Sequence, residues 1–124
     1  SVQGPMLFEL GKADLRLEVT EFLDWLALVI RQTPLNVQVV GHTDDYPVDT
    51  RVFPRNWELS TARPARAARY LIDSGTLDPR RLTVLGRGEF APAVPNINDA
   101  NRSLNRRVEI IITRDTLESE DSRR

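Results

Sequence analysis

The chain has 124 residues, 40% apolar and 28% charged, which suits a single two-layer globular core and excludes a disordered chain. A formal net charge of −1 gives no global case for nucleic acid, and the absence of cysteine excludes disulfides, thiol catalysis and cysteine metal sites. No apolar run reaches the roughly 18–20 residues of a membrane span; the longest candidate, Phe22 to Ile30, is interrupted by Asp24.

In chain order, residues 6–9 (Met-Leu-Phe-Glu) predict a short strand, and Asp14 a helix cap. Leu15, Val19, Phe22, Leu23, Leu26 and Ile30 recur at spacings of three and four, which predicts an amphipathic helix stopped near Pro34. "NVQVVGHT" alternates and predicts a strand over 36–43, followed by a loop between Pro47 and Pro54. A second helix is expected from Trp57 to Ser74, ending at Gly75. "RRLTVLGRG" predicts a strand near 81–88, residues 89–105 read as irregular, and "RRVEIIIT" (106–113) predicts a well-covered strand. The polar residues 115–124 read as a disordered tail.

The expected fold class is therefore α/β, more narrowly an α+β two-layer sandwich of order β-α-β-α-β-β. Its mixed four-stranded sheet carries both helices on one face, with a right-handed parallel crossover. Residues 1–114 form the domain. The start carries no signal-peptide pattern, as expected of an excised or processed domain.

Little in the sequence favours catalysis. Ser60, Ser74 and Ser103 have no neighbouring base, and His42 is the one histidine. His42, Asp44 and Asp45 could begin a metal site, but no third and fourth ligands follow at suitable spacing. Asp44, past the end of a strand that feeds a crossover, and Arg63, early in the returning helix, should face the same sheet edge, where ligands bind. Such a pair can neutralise itself, or it can bracket a zwitterion, the carboxylate taking an ammonium and the arginine a carboxylate. Arg106 and Arg107 point to opposite faces of their strand, so only one can join a given site. Asn56, Asn96, Asn98 and Asn101 read as turn formers, and Trp57 and Phe53 as lids or core. Sixteen of the seventeen basic residues are arginine, and residues 63–114 hold ten arginines against five acids.

"VQVVGHTDD", "NWELSTAR", "RLTVLGRGEFAPAVPN" and "NRRVEIII", four blocks in order, together resemble the OmpA-like peptidoglycan-binding domain. The longer loop after "GHTD" and the tryptophan of "NWELS" resemble its MotB type, the peptidoglycan-anchoring subunit of ion-driven flagellar stators. The resemblance implies a non-catalytic periplasmic domain of a bacterial inner-membrane protein, without cofactor. It would be a homodimer partnered with a MotA-like ion-channel subunit through a transmembrane part. It also implies that Asp44 and Arg63 bind the diaminopimelate of the stem peptide, with Thr43, Asn56, Leu59, Asn105 and Arg107 walling the pocket. The same fold also serves outer-membrane lipoproteins, secretion systems and non-flagellar stator-like complexes. Pro64 departs from the family's alanine, and its ring should kink the helix or delay its start to near Ser60.

Overall fold

The computed structural model describes residues 2–3, 16–47 and 53–114. Strand β1 is Val2–Gln3, helix α1 Leu17–Arg31, β2 Asn36–His42, helix α2 Asn56–Asp73, β3 Leu82–Gly86, helix α3 Asp99–Asn105 and β4 Arg107–Thr113. The sheet order is β1-β4-β2-β3, with β2 parallel to β3 and antiparallel to β4. The expected four-stranded sheet thus reduces to a mixed sheet of three strands of five to seven residues. Its further member is only the two-residue β1, paired antiparallel with β4. The strand expected at 6–9, the cap at Asp14, Leu15, most of the loop between Pro47 and Pro54, and the 115–124 tail lie outside the described residues.

Two helices are expected, and the described residues hold three α-helices. Residues 89–105 are not wholly irregular, because α3 occupies their end. Asn98 caps it by accepting from the Asn101 amide at 2.8 Å, and Asp99 sits in its first turn.

The core joins Val19, Leu23, Leu26, Ala27 and Ile30 of α1 to Ala67 and Leu71 of α2 and to Val37, Val39 and Val108 of the sheet, so α1 and α2 share one sheet face. Each fully buried leucine, such as Leu23 or Leu71, contributes ~2 kcal/mol. Phe22, expected in the apolar stripe, is exposed, and Ala27 takes its place at the 3.6-residue period. Arg81 ties the layers: its guanidinium donates to the carbonyl of Ile30 in the last turn of α1 and to those of Thr33 and Leu35 just beyond it. Helix α2 ends beside Gly75 as expected, although the left-handed residue is Thr76 (φ 52°).

Gly41 and Gly86 are register partners across the parallel β2/β3 pair. A Cβ on Gly41 would sit 2.0 Å from the Ser60 carbonyl oxygen and 2.6 Å from Pro64 Cδ. One on Gly86 would sit 2.2 Å from Thr61 Oγ1. The bare backbone of both strands is therefore the floor on which the middle of α2 lies. Pro64 stays inside α2, which runs unbroken from Asn56, so the late start near Ser60 does not occur. Its ring is buried against Gly41, and the Ser60 carbonyl, which proline cannot bond, faces the same strand.

Gly41→Ala is expected to lower stability by about 3 kcal/mol, because the clash is with backbone and a proline ring rather than a flexible side chain. Urea denaturation reads this directly. An unchanged midpoint would mean that α2 can slide off the sheet without loss.

Candidate functional site

The close seating of α2 brings its first two turns over the carboxyl end of β2. Just past that end, Thr43 and Asp44 are buried. The Thr43 amide donates to the Gly88 carbonyl (2.9 Å), and the Gly88 amide donates to Ser60 Oγ (2.9 Å), so the loops after β2 and β3 and the helix are laced together. Thr43 Oγ1 donates to the Asp44 carbonyl (2.9 Å), while Asn56 Nδ2 donates to the carbonyls of Asp44 (3.4 Å) and Tyr46 (3.2 Å). Asp44 is 3% exposed; its Oδ1 accepts the Tyr46 amide at 2.9 Å.

Arg63, 2% exposed, lies one turn after the buried Leu59 on the same helix face. Burial, and then the charge of Arg106, pull its pKa down to about 10, while Asp44 opposes the shift. Arg63 is thus a cation at neutral pH held in a desolvated place. The sequence allows one of Arg106 and Arg107 into the site and the resemblance implies Arg107, but the residue found there is Arg106. Its Nη1 reaches Asp44 Oδ2 at 2.5 Å, forming a largely buried ion pair. Of the two adjacent arginines, it is Arg106, at the junction of α3 and β4, that joins Asp44. Two guanidinium groups and one carboxylate therefore gather at the carboxyl end of β2.

The remaining expected site residues lie apart from that cluster. Arg107 donates from Nε to Glu109 Oε1 (2.8 Å) and from Nη2 to the Ala91 carbonyl (3.0 Å). Asn105, fully buried, spends its whole amide on one loop. Oδ1 accepts from Ala93 N (2.8 Å) and Val94 N (3.1 Å), and Nδ2 donates to the Val94 carbonyl (2.8 Å) and Asn96 Oδ1 (2.7 Å). Arg102 adds a tie from α3 to Asp45 (Nε to Oδ1, 2.9 Å) and to the Asn96 carbonyl.

His42, Asp44 and Asp45 do not converge. His42 pairs in register with Arg107 and has Nε2 3.2 Å from Glu109 Oε1, Asp44 faces Arg106, and Asp45 faces Arg102. Among the described residues no group of three or more His, Asp or Glu could hold a metal ion. Beside the cluster, Trp57 and Phe90 stack with centroids 5.2 Å apart at the mouth of a cleft of about 420 Å³. Trp57, expected as a lid or core residue, is 52% exposed, and Phe53 is half-buried.

These features define an α+β domain with a buried cluster of charged side chains at one sheet edge. The OmpA family pattern matches residues 7–106, and the chain belongs to that family. Motility protein B of Bacillus subtilis is 33% identical over 113 residues, covering 90% of this chain and 43% of the relative. A MotB-like protein from Desulfovibrio vulgaris has 36% identity and a TM-score of 0.81, over 91% of this chain and 73% of that one. The cell wall anchor of the type VI secretion system from Pseudomonas aeruginosa has 35% identity and a TM-score of 0.80, over 90% and 76%. The chain spans less than half the length of the first curated relatives it matches. Among the described residues no helix is long and apolar enough to cross a membrane.

Two expectations follow. Asn105→Ala strands two amides and a carbonyl of the 93–96 loop and should lower stability by about 3 kcal/mol in denaturant unfolding. Burial first, and Arg107 second, hold the His42 pKa below 6.5. Below that pH the unfolded chain binds more protons at this position than the folded one. The contribution of His42 is therefore complete above about 6.5 and is lost as pH falls toward the folded pKa. Stability measured against pH should decline over that interval, and His42→Gln should flatten the decline.

Proposed function

We propose that this domain binds peptidoglycan without catalysing a reaction on it, and that it anchors a membrane motor or stator complex to the cell wall. The ligand group is the side-chain end of diaminopimelate in the stem peptide, a zwitterion. Asp44 takes its ammonium and Arg63 its carboxylate. Among the described residues each Asp44 oxygen accepts one hydrogen bond, and a carboxylate oxygen has a second lone pair that can take the ammonium. Arg106 holds the Asp44 carboxylate in place and gives the site a second cation. Thr43 and Asn56 fix the Asp44 backbone, and Leu59 supplies an apolar wall. Asn105 and Arg107 support the site through the loop at 91–96.

The observation that carries this reading is a buried carboxylate beside a buried guanidinium at the carboxyl end of β2. Desolvating charged groups can cost more than their mutual attraction returns, so a role in binding is a reason for such a cluster that stability alone does not supply. We further propose a setting in the bacterial periplasm, as part of an inner-membrane protein that works as a homodimer with a MotA-like ion-channel subunit; kinship with motility protein B supports a role in motility. The likeness to the type VI secretion cell wall anchor supports a second reading, the same clamp serving a secretion system.

Co-sedimentation with purified sacculi tests the clamp. The unmutated chain should pellet with diaminopimelate-type sacculi and far less with lysine-type sacculi, which lack the second carboxylate. Asp44→Ala and Arg63→Ala should each weaken binding about 30-fold or more. Binding retained by both folded variants would sink the proposal.

A further inference from the structure

Helix α1 is apolar on two sides. Val19, Leu23, Leu26 and Ile30 are buried in the core, while Phe22, Trp25, Leu28 and Val29 are exposed on another side. Trp25 is 58% exposed and Leu28 48%, and the Phe22 and Trp25 rings lie 6.1 Å apart. Helices that are apolar all round are normally enclosed by other elements. The side toward α2 is marked by Asp24, whose Oδ1 accepts from Tyr70 Oη (2.9 Å), and Trp25 points about 100° further round. The bonds that build the charged cluster come from other elements, so this face is independent of it.

The spacing along the face is that of a helix seam. Glu18, Phe22, Trp25, Val29 and Gln32 stand four, three, four and three residues apart, a length of about 20 Å that a second helix can follow. Its charge has one sign. Glu18 and Glu21 are exposed and form no ion pair among the described residues. Glu18 suits the first turn of α1, but Glu21 lies beyond it. The basic residues at the two ends of the helix, Arg16 and Arg31, sit about half a turn and a third of a turn round from Trp25. Arg31 is moreover engaged with Thr76 Oγ1.

A second copy of the chain fits this face poorly. Antiparallel pairing would set the two carboxylates against Leu28 and Gln32 of the other copy, and parallel pairing would set them against each other. Neither arrangement supplies a cation. The same two carboxylates repel an anionic lipid surface. What complements the face is an apolar seam with positive flanks.

We propose that the Phe22–Trp25–Val29 face of α1 docks an amphipathic helix of another protein, its apolar seam flanked by lysine or arginine. Such a domain can hold two bodies at once, one at the charged cluster and one on the outside of α1.

The probes are two fluorescein-labelled helical peptides of about 21 residues with the same heptad seam of leucine and alanine, flanked by lysine in one and by glutamate in the other. Fluorescence anisotropy with the full chain should show the lysine peptide binding about tenfold tighter, the margin shrinking as salt rises. Glu18→Lys combined with Glu21→Lys should reverse the preference. Trp25→Ser should weaken binding of the lysine peptide about tenfold and leave the urea midpoint unchanged, since the ring is exposed. Equal affinity for the two peptides overturns the proposal, as does a preference that survives the charge reversal or a Trp25→Ser variant that binds as before. So does a chain that binds neither peptide. Self-association that Trp25→Ser abolishes, read by sedimentation, would give the face to a second copy. Trp25-dependent binding to phosphatidylglycerol vesicles would give it to a membrane, and either result overturns the proposal as well.

Discussion

The contact on which the rest depends is that between α2 and the bare backbone at the ends of β2 and β3. Gly41 and Gly86 stand side by side in register, and Ser60, Thr61 and Pro64 occupy the space that their side chains would have filled. This approach sets the height of Arg63 above the sheet edge. With a larger residue at either position, the guanidinium would be lifted from Asp44 and into solvent. The same seating lets Ser60 Oγ capture the Gly88 amide, which in turn fixes Thr43. Backbone geometry thus places the charged groups, and the charges themselves are passengers of the packing.

That placement is costly. Arg63 is buried enough for its pKa to fall to about 10, with a second guanidinium nearby. Apolar replacements of buried ionic groups are often neutral or stabilising, so stability alone gives no reason to retain such an arrangement. The local network limits the cost by giving Asp44 one amide and one guanidinium partner. Asn105 and Arg102 then hold the loops on either side, so the side chains of the cluster are not asked to order the backbone as well.

Much of this is legible in the sequence because it follows from period and position. The stripe from Val19 to Ile30, the alternation of "NVQVV" and the helix between two strands lead to the layers, and from there to Asp44 and Arg63 sharing one edge. Arg106 and Arg107 are not separable by strand alternation alone, and the resemblance implies the wrong one. The structure separates them because α3 ends at Arg106, its C-cap, and the strand begins only at Arg107. The signal was present in Asn98 and Asp99, a capping residue and a first-turn acid. Pro64 misled differently. Taken alone a mid-helix proline signals a kink, and only the glycine opposite it, distant in sequence, shows that its ring has a place to go. The exposure of Trp57 and Phe22 depends on which neighbours lie beyond each element, and local periodicity carries no such information.

The position of β2 within the sheet has a mechanical consequence. It lies between β3, with five paired positions, and β4, with seven, and Asp44 follows directly from its carboxyl end. A pull on Asp44 along the strand axis therefore loads both ladders in shear, so that many hydrogen bonds must fail together. An edge strand peeled sideways would release them one by one. Tension applied at this site would be spread over the strand of the described sheet that is paired along both sides.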